Sequence, residues 1–329
     1  MSVFRRGDPR REPGRRRIGR GRRLPAPPDP DFPFLSVDDA ARLRSLTRTA
    51  FAELGVETQI HRTHLEAADG HLFGFRNLFV ACHDTRGGER AWRRAVRGHA
   101  ARMIGLREQP SPADLPTTEL LDHAVVRVCS ESSLPSLDLF GYRRPLGGDL
   151  VELLAHDTPA AIAYLTDAEV ERAGAGALRA AGVEHLLTEP FGTLHHLRTP
   201  QAGRFTVLLG ESVHTASRLL TMDDVLRRCY GDASTPCGLL VAVPNRHQLA
   251  FHRPTDASLL GVIHGMLQFT VAGFDEGTGA ISPHLFWRPP EGGPLEQLTR
   301  LDDDSGMLVR IQGRFAAVVE GLLRGGLDP

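Results

Sequence analysis

Lysine does not occur in this chain of 329 residues, so all 39 basic side chains are arginines. Arginine cannot replace the flexible, titratable ammonium group of lysine. The sequence therefore excludes a P-loop lysine, a Schiff-base lysine and a Ser–Lys dyad, and with them most NTPases, pyridoxal phosphate enzymes and class I aldolases. No glycine-rich GxGxxG motif follows a predicted strand, so no nucleotide or other cofactor is expected.

Cysteine is also scarce, and long apolar runs are missing. The four cysteines form no CxxC pair, which argues against a disulfide framework and favours a reducing cytoplasm. No apolar stretch approaches the roughly 20 residues that cross a bilayer, so no membrane partner is expected.

The charge is unevenly distributed. Residues 1–23 carry ten arginines against Asp8 and Glu12, a balance of +8, whereas the rest carries 29 arginines against 38 acidic residues. Residues 1–34 are rich in arginine and proline and poor in apolar side chains, so they are predicted to be disordered. They are either a solvated extension or, through residues 1–23, a weak and non-specific electrostatic arm for nucleic acid or an acidic partner.

Beyond this tail, short helices and strands follow one another in mixed order. Residues 238–287, for example, predict a strand pair, a helix over 257–272 that ends at Gly273, and a third strand. This order favours an α+β fold with mixed, largely antiparallel sheets and flanking helices. The predicted division is an N-terminal subdomain over 35–110, a linker over 111–118 and a C-terminal domain over 119–329.

Several local predictions can be compared directly with the structure. Ser36 is expected to cap a helix that closes at Gly55. Residues 56–65 and 71–80 are predicted to be the two strands of a hairpin around an AADG turn. Asp167 is expected to cap a helix that ends near Gly182.

The segments RVCSESSLP (residues 127–135), DLVELLAHDTPAAIAYLTDAEVE (149–171) and GVIHGMLQFTVAG (261–273) are the main carriers of a family resemblance. Over roughly residues 126–329 the chain resembles the YtpQ-like family of uncharacterised bacterial proteins, in packing and turn positions rather than in a catalytic signature. The resemblance implies a cytoplasmic α+β protein. It implies no activity and supplies no catalytic residues.

The helix predicted over residues 89–105 has one apolar side and one basic side, the latter formed by Arg90, Arg93, Arg94 and Arg97. A basic helix face is either solvated or holds an anionic partner. Arg246, in a predicted turn, and His264, on the helix over 257–272, are further candidate binding residues. Gly261 and Gly265, on the same helix as His264, predict a close backbone approach.

No catalytic residue or metal ligand is predicted. In GESVH (residues 210–214), Ser212 resembles a nucleophile elbow but is better explained as a helix cap. The side chains of the neighbours Cys82, His83 and Asp84 cannot converge. The histidines of HRTHLEAADGH, at positions 61, 64 and 71, would point to opposite faces of a strand, and only a distorted hairpin end would bring them together.

The sequence favours a non-catalytic module that binds a protein partner or its own copy. Two alternatives remain open. One is a hydrolase-type enzyme with a pocket near His264 and Arg246, and the other is a nucleic-acid accessory protein that binds through its arginine-rich tail.

Overall fold

The computed structural model describes residues 26–325, except for 86, 108–109, 135, 159–161, 201–202 and 303–305. Helices and strands alternate irregularly, and every pairing between the described strands is antiparallel. The predicted α+β class is therefore confirmed. None of the described helices is both long enough and apolar enough to cross a membrane.

The first part of the chain packs three helices against a three-stranded sheet of order β1–β2–β3. Its elements are α1 (Val37–Glu53), β1 (Thr58–Ile60), β2 (His64–Ala67), β3 (Leu72–Gly74), α2 (Arg76–Asp84) and α3 (Gly88–Arg107). Ser36 caps α1 as predicted, because its hydroxyl accepts the backbone N–H of Asp39 at 3.1 Å. Buried side chains of these elements form one core.

The middle part is built on β4 and β6, two almost fully buried strands that pair along their length. β5 and β7 both pair with β6. The elements are α4 (Thr117–Asp122), β4 (Ala124–Ser130), β5 (Arg144–Gly147), β6 (Leu150–Asp157), β7 (Ile162–Tyr164), α5 (Asp167–Ala173) and α6 (Ala175–Thr188).

The last part contains a six-stranded sheet of order β13–β12–β10–β11–β9–β8 and a separate hairpin, β14–β15. Its elements are β8 (Thr193–Arg198), β9 (Arg204–Leu209), α7 (Met222–Tyr230), β10 (Leu239–Ala242), β11 (Gln248–His252), α8 (Leu259–Glu276), β12 (Phe286–Arg288), β13 (Glu296–Gln297), β14 (Thr299–Asp302), β15 (Gly306–Val309) and α9 (Gly313–Leu323). The strand pair, helix and third strand predicted over 238–287 are confirmed as β10, β11, α8 and β12.

The strand predicted over residues 71–80 is wrong. β3 ends at Gly74, and α2 begins two residues later. Leu78, Phe79 and Cys82 are all buried, a spacing that one helix face accommodates and a strand does not. The AADG turn does join two strands, β2 and β3, but the single strand predicted over 56–65 is wrong, because that range holds β1, a turn and the start of β2. A short apolar run does not by itself distinguish a strand from a helix, which explains the error.

Two helix ends also differ from the prediction. The helix predicted from Asp167 to near Gly182 is two helices, divided at Gly174, whose φ of +85° interrupts the helical conformation. Its N-cap is Thr166, which forms a capping box with Glu169, and not Asp167. α8 runs past Gly273 to Glu276, because Gly273 permits close approach rather than termination: a Cβ there would lie 3.1 Å from Pro244. The close approach predicted at Gly265 is confirmed, since its Cβ would lie 2.3 Å from Thr199 Cγ2.

The boundary predicted for the disordered tail is wrong at its C-terminal end. Phe32 is 2% exposed and belongs to the first core, and Asp29 is 3% exposed. Asp29 accepts hydrogen bonds from both terminal nitrogens of Arg44 on α1, at 2.9 and 3.2 Å. The folded unit therefore includes these residues, while residues 1–23, with their predicted nucleic-acid arm, lie outside the described part.

The segment predicted as a linker is packed against its neighbours. Leu115 is buried, and Arg172 of α5 donates to the backbone oxygens of Pro112 and Ala113 at 2.9 and 2.7 Å. The first part also contacts α8 directly, because Arg76 donates to the backbone oxygen of Phe274 at 2.6 Å.

Two partly buried histidines give stability a predictable pH dependence. Burial lowers the pKa of His252 to about 4, and burial together with Arg102 lowers that of His99 to about 4. The unfolded chain, with an ordinary pKa near 6.5, binds more protons between these values. Stability should therefore fall as the pH decreases from about 6.5 to 4.

Urea unfolding across this pH range tests the prediction. His252→Gln should flatten the pH dependence, whereas the matched change His195→Gln, at an exposed position of β8, should leave it unchanged. If the wild type, His252→Gln and His195→Gln all lose the same stability at acidic pH, the pH dependence does not come from His252.

Candidate functional site

A groove lies between α1 and α3, and we call it the arginine groove. Leu46 and Ala50 of α1 face Val96 and Ala101 of α3 across it, and its volume is about 540 Å³. α3 is held in place by Val96 and Ala100, which are buried in the first core, and by Trp92, whose indole N–H donates to the backbone oxygen of Cys82 at 2.8 Å.

Four of the six predicted binding residues line this groove. Arg90, Arg93, Arg94 and Arg97 lie on α3 at the groove and are all exposed. Their spacing of three or four residues places them along one side of the helix, as the sequence indicated. The groove therefore combines an apolar floor with a row of guanidinium groups.

Two of the four arginines already have carboxylate partners. Arg97 donates to Glu53 of α1, which also lines the groove, at 2.6 Å. Arg93 donates to Glu89 at 2.6 Å. Hydrogen bonds from Arg42 and then Arg93 lower the pKa of Glu89. Exposed ion pairs of this kind contribute only about 0–1 kcal/mol each, so a ligand carboxylate can exchange with them.

Arg90 and Arg94 differ from their neighbours in this respect. Neither forms an ion pair or a side-chain hydrogen bond with any residue that the structure describes. An exposed guanidinium offers five N–H donors in a planar fork that matches a carboxylate. These two arginines are thus free to take the acidic groups of a ligand.

Arg246 and His264 are not brought together. Arg246 lies beside the C-terminal end of α8, where its backbone N–H donates to Gly279 O at 3.0 Å, and its side chain donates to His247 Nε2 at 3.0 Å. Burial, then the nearby Arg127, lowers its pKa. His264 is exposed on the second turn of α8, and a helix advances about 1.5 Å per residue. Arg246 and His264 therefore do not lie together as the sides of one pocket.

A buried polar cluster, which sequence reasoning missed, lies between β4 and the turn that follows β9. His214 is 2% exposed. Its Nδ1 lies 3.4 Å from an Arg127 guanidinium nitrogen, and its Nε2 lies 2.6 Å from Asp157 Oδ2. The only sequence signal is Arg127 itself, a charge within the apolar run VVRVC. With both ring nitrogens engaged, His214 is positioned to hold the cluster together rather than to accept a proton from a substrate.

Ser212 does not form a nucleophile elbow. Its hydroxyl donates to Glu189 Oε2 at 2.6 Å and accepts the backbone N–H of His214 at 3.1 Å. No imidazole nitrogen is hydrogen-bonded to it in the described structure. It also does not cap the following 3-10 helix, which begins at Thr215 with His214 as its N-cap, so the predicted helix cap is a local turn instead.

The remaining sequence candidates are Cys82 and the histidines at positions 61, 64 and 71. Cys82 is buried, and burial raises the pKa of its thiol to about 11, which disfavours the nucleophilic thiolate. His71 lies beside Asp69 at the β2–β3 turn, but the rings of His61 and His64 stack with centroids 4.6 Å apart. The expectation that His61 and His64 would diverge is therefore wrong.

No family model, curated protein or solved structure compared with this chain gives a match. Function is accordingly inferred from the geometry of the chain itself.

Proposed function

We propose that the chain is a protein-binding module whose arginine groove takes an acidic, amphipathic segment of a partner protein. The observation that carries this proposal is the position of Arg90 and Arg94, exposed and without ion-pair partners, beside an apolar floor. Carboxylates of the segment would bind the two guanidinium groups. Its aliphatic or aromatic side chains would cover Ala101 and the small accessible parts of Leu46 and Ala50.

The surroundings of the groove favour an acidic peptide over nucleic acid. Nucleic acid binds chiefly through many phosphate contacts, and single strands add stacking on aromatic side chains. Here Glu53 lies within the groove, and no aromatic side chain is among the described residues that line it. An amphipathic helix or strand, in contrast, uses both an apolar floor and charged edges.

The alternatives identified from the sequence have less support. The two residues proposed for a hydrolase pocket lie apart, and the ring nitrogens of His214 and His247 are already engaged. A second copy of the chain could supply the acidic segment, because the chain outside residues 1–23 carries nine more acidic residues than arginines. Self-association is thus one form of the same proposal.

The family resemblance and the cytoplasmic location belong to this proposal as well. A YtpQ-like relationship over residues 126–329 is compatible with the α+β fold and carries no catalytic residues. The cysteines at positions 82, 129, 229 and 237 are all unbonded thiols, which is compatible with a reducing cytoplasm.

The test is binding of fluorescent acidic peptides that contain leucine and phenylalanine, measured by anisotropy with the full chain. Arg90→Glu/Arg94→Glu should weaken binding about tenfold or more, because the change removes two charge-assisted contacts and introduces two carboxylates that repel the acidic peptide. The matched double reversal Arg102→Glu/Arg310→Glu, at exposed arginines that do not line the groove, should change it little.

Two outcomes would contradict the proposal. One is equal weakening by the groove and control variants, which would indicate a non-specific charge effect. The other is preferential binding of single-stranded DNA or RNA that the groove variant abolishes, which would assign the groove to nucleic acid.

A further inference from the structure

The turn between β1 and β2 places three metal-ligating residues, two histidines and a glutamate, on one face of a hairpin. Ile60 pairs with Leu65, and the backbone N–H of His61 donates to His64 O at 2.9 Å. His61 and His64 are therefore opposite each other across a two-residue turn. Glu66 lies two residues beyond His64 on β2, and residues two apart in a strand share a face. Strand alternation thus brings all three side chains together.

The distances between these side chains are short. The two imidazole rings are stacked, with centroids 4.6 Å apart and planes inclined by 8°. His61 Nε2 lies 2.8 Å from Glu66 Oε2. One ligand atom from each of the three residues lies within 4.8 Å of the other two. Side-chain rotations can close this set to the separation of roughly 3.3 Å that tetrahedral ligands at 2.0–2.1 Å from a metal require.

The hydrogen bonding of the cluster leaves ligand atoms available. His61 Nε2 is shielded from solvent and has no hydrogen-bond partner of acceptable angle, although the Glu66 carboxylate is at ion-pair distance. His64 Nδ1 is 3.2 Å from the Thr63 hydroxyl, which leaves Nε2 of that ring as the ligand atom. A partner on one ring nitrogen is the usual way in which a protein orients the other nitrogen toward a metal.

We propose that His61, His64 and Glu66 form a binding site for a divalent first-row transition ion, for which Zn²⁺ is the best match. Two imidazole nitrogens and one carboxylate oxygen are a ligand set that suits Zn²⁺ and its neighbours better than Mg²⁺ or Ca²⁺. Three protein ligands leave a fourth position for water or for a group from a partner. The side chains of His61 and Glu66 are 36% and 43% exposed, so rotation of either one can open the shielded His61 Nε2 to an ion from solvent.

The ion would bridge the two strands at their turn. That turn is already fixed to α1, because Arg44 Nε donates to the backbone oxygen of Arg62 at 3.0 Å. The ion would bind the folded chain but not the unfolded chain, so its binding should stabilise this hairpin.

The test is calorimetric titration of Zn²⁺ into the full chain, without a histidine tag and after removal of metals with a chelator. We expect one ion per chain, with an affinity that falls at least about tenfold in His64→Ala and in Glu66→Gln. His71→Ala is the matched control, since it removes an exposed histidine at the next turn of the same sheet and should leave the affinity unchanged.

A second measurement separates loss of the site from loss of the fold. Circular dichroism should show that the variants remain folded, and Zn²⁺ should raise the melting temperature of the wild type and of His71→Ala only. The proposal is overturned if the wild type binds no Zn²⁺ at micromolar concentrations. It is also overturned if the His64 and Glu66 variants, once folded, bind Zn²⁺ as tightly as the wild type.

Discussion

Replacement of Phe32 by alanine is expected to lower the free energy of unfolding by about 3–5 kcal/mol, the usual range when a buried aromatic ring is removed. The Phe32 ring packs edge-on against Phe79, with centroids 4.8 Å apart. The Arg44 guanidinium lies 5.3 Å from the centre of the same ring. Removal of the ring leaves a cavity in the first core and takes away a contact of the helix that forms one wall of the arginine groove.

Urea denaturation of Phe32→Ala measures this loss. Leu72→Ala is a suitable control, because Leu72 is apolar but 59% exposed, so its truncation should cost less than about 0.5 kcal/mol.

A chain that begins at residue 35 should lose at least as much stability as Phe32→Ala, since it also lacks Asp29. A chain that begins at residue 26 keeps both residues. If the chain that begins at residue 35 and the wild type unfold at the same urea concentration, the contacts of Phe32 and Asp29 do not stabilise the fold.

The same residues show how far the sequence predicts the fold. α1 and α3 were predictable because helical periodicity extends over many residues in each, and β10 was predictable because a continuous apolar run is typical of a buried strand. Phe32 was not, because one aromatic residue in a proline-rich segment has no periodicity, and only the core that it enters reveals its position. α2 was missed because its apolar residues form a short, nearly continuous run.

Only part of the candidate site could likewise be predicted from the sequence. The arginine face of α3 follows from helical spacing alone, so its four residues were identified from the sequence. The groove itself was not, because its opposite wall is α1, more than 30 residues away in the chain. The proximity of His61 and His64 was missed because the turn lies between them, which converts a separation of three residues into a cross-strand pair.

Gly182 on α6 is expected to be among the residues least tolerant of substitution. A Cβ at this position would lie 2.8 Å from Val126 N and 2.9 Å from Val125 C on β4. Both are backbone atoms of a buried strand, so they cannot rotate away, and the helix must move instead. α6 is also fixed on either side of Gly182. Arg179 forms a partly buried ion pair with Glu152, and His185 Nδ1 lies 2.7 Å from Ala124 O.

Gly182→Ala should therefore reduce the free energy of unfolding by about 1–3 kcal/mol, and Gly182→Leu by more, because the overlap must be relieved at the cost of these contacts. The control is Gly176→Ala, since Gly176 lies on the same helix with no atom within 4 Å of the added Cβ. Replacement of a helical glycine that meets no steric conflict is neutral or gains up to about 1 kcal/mol. In chemical denaturation, Gly182→Ala should thus be less stable than the wild type, and Gly176→Ala should be at least as stable as the wild type. Equal stability of Gly182→Ala and Gly176→Ala would show that α6 does not approach β4 as closely as the structure indicates.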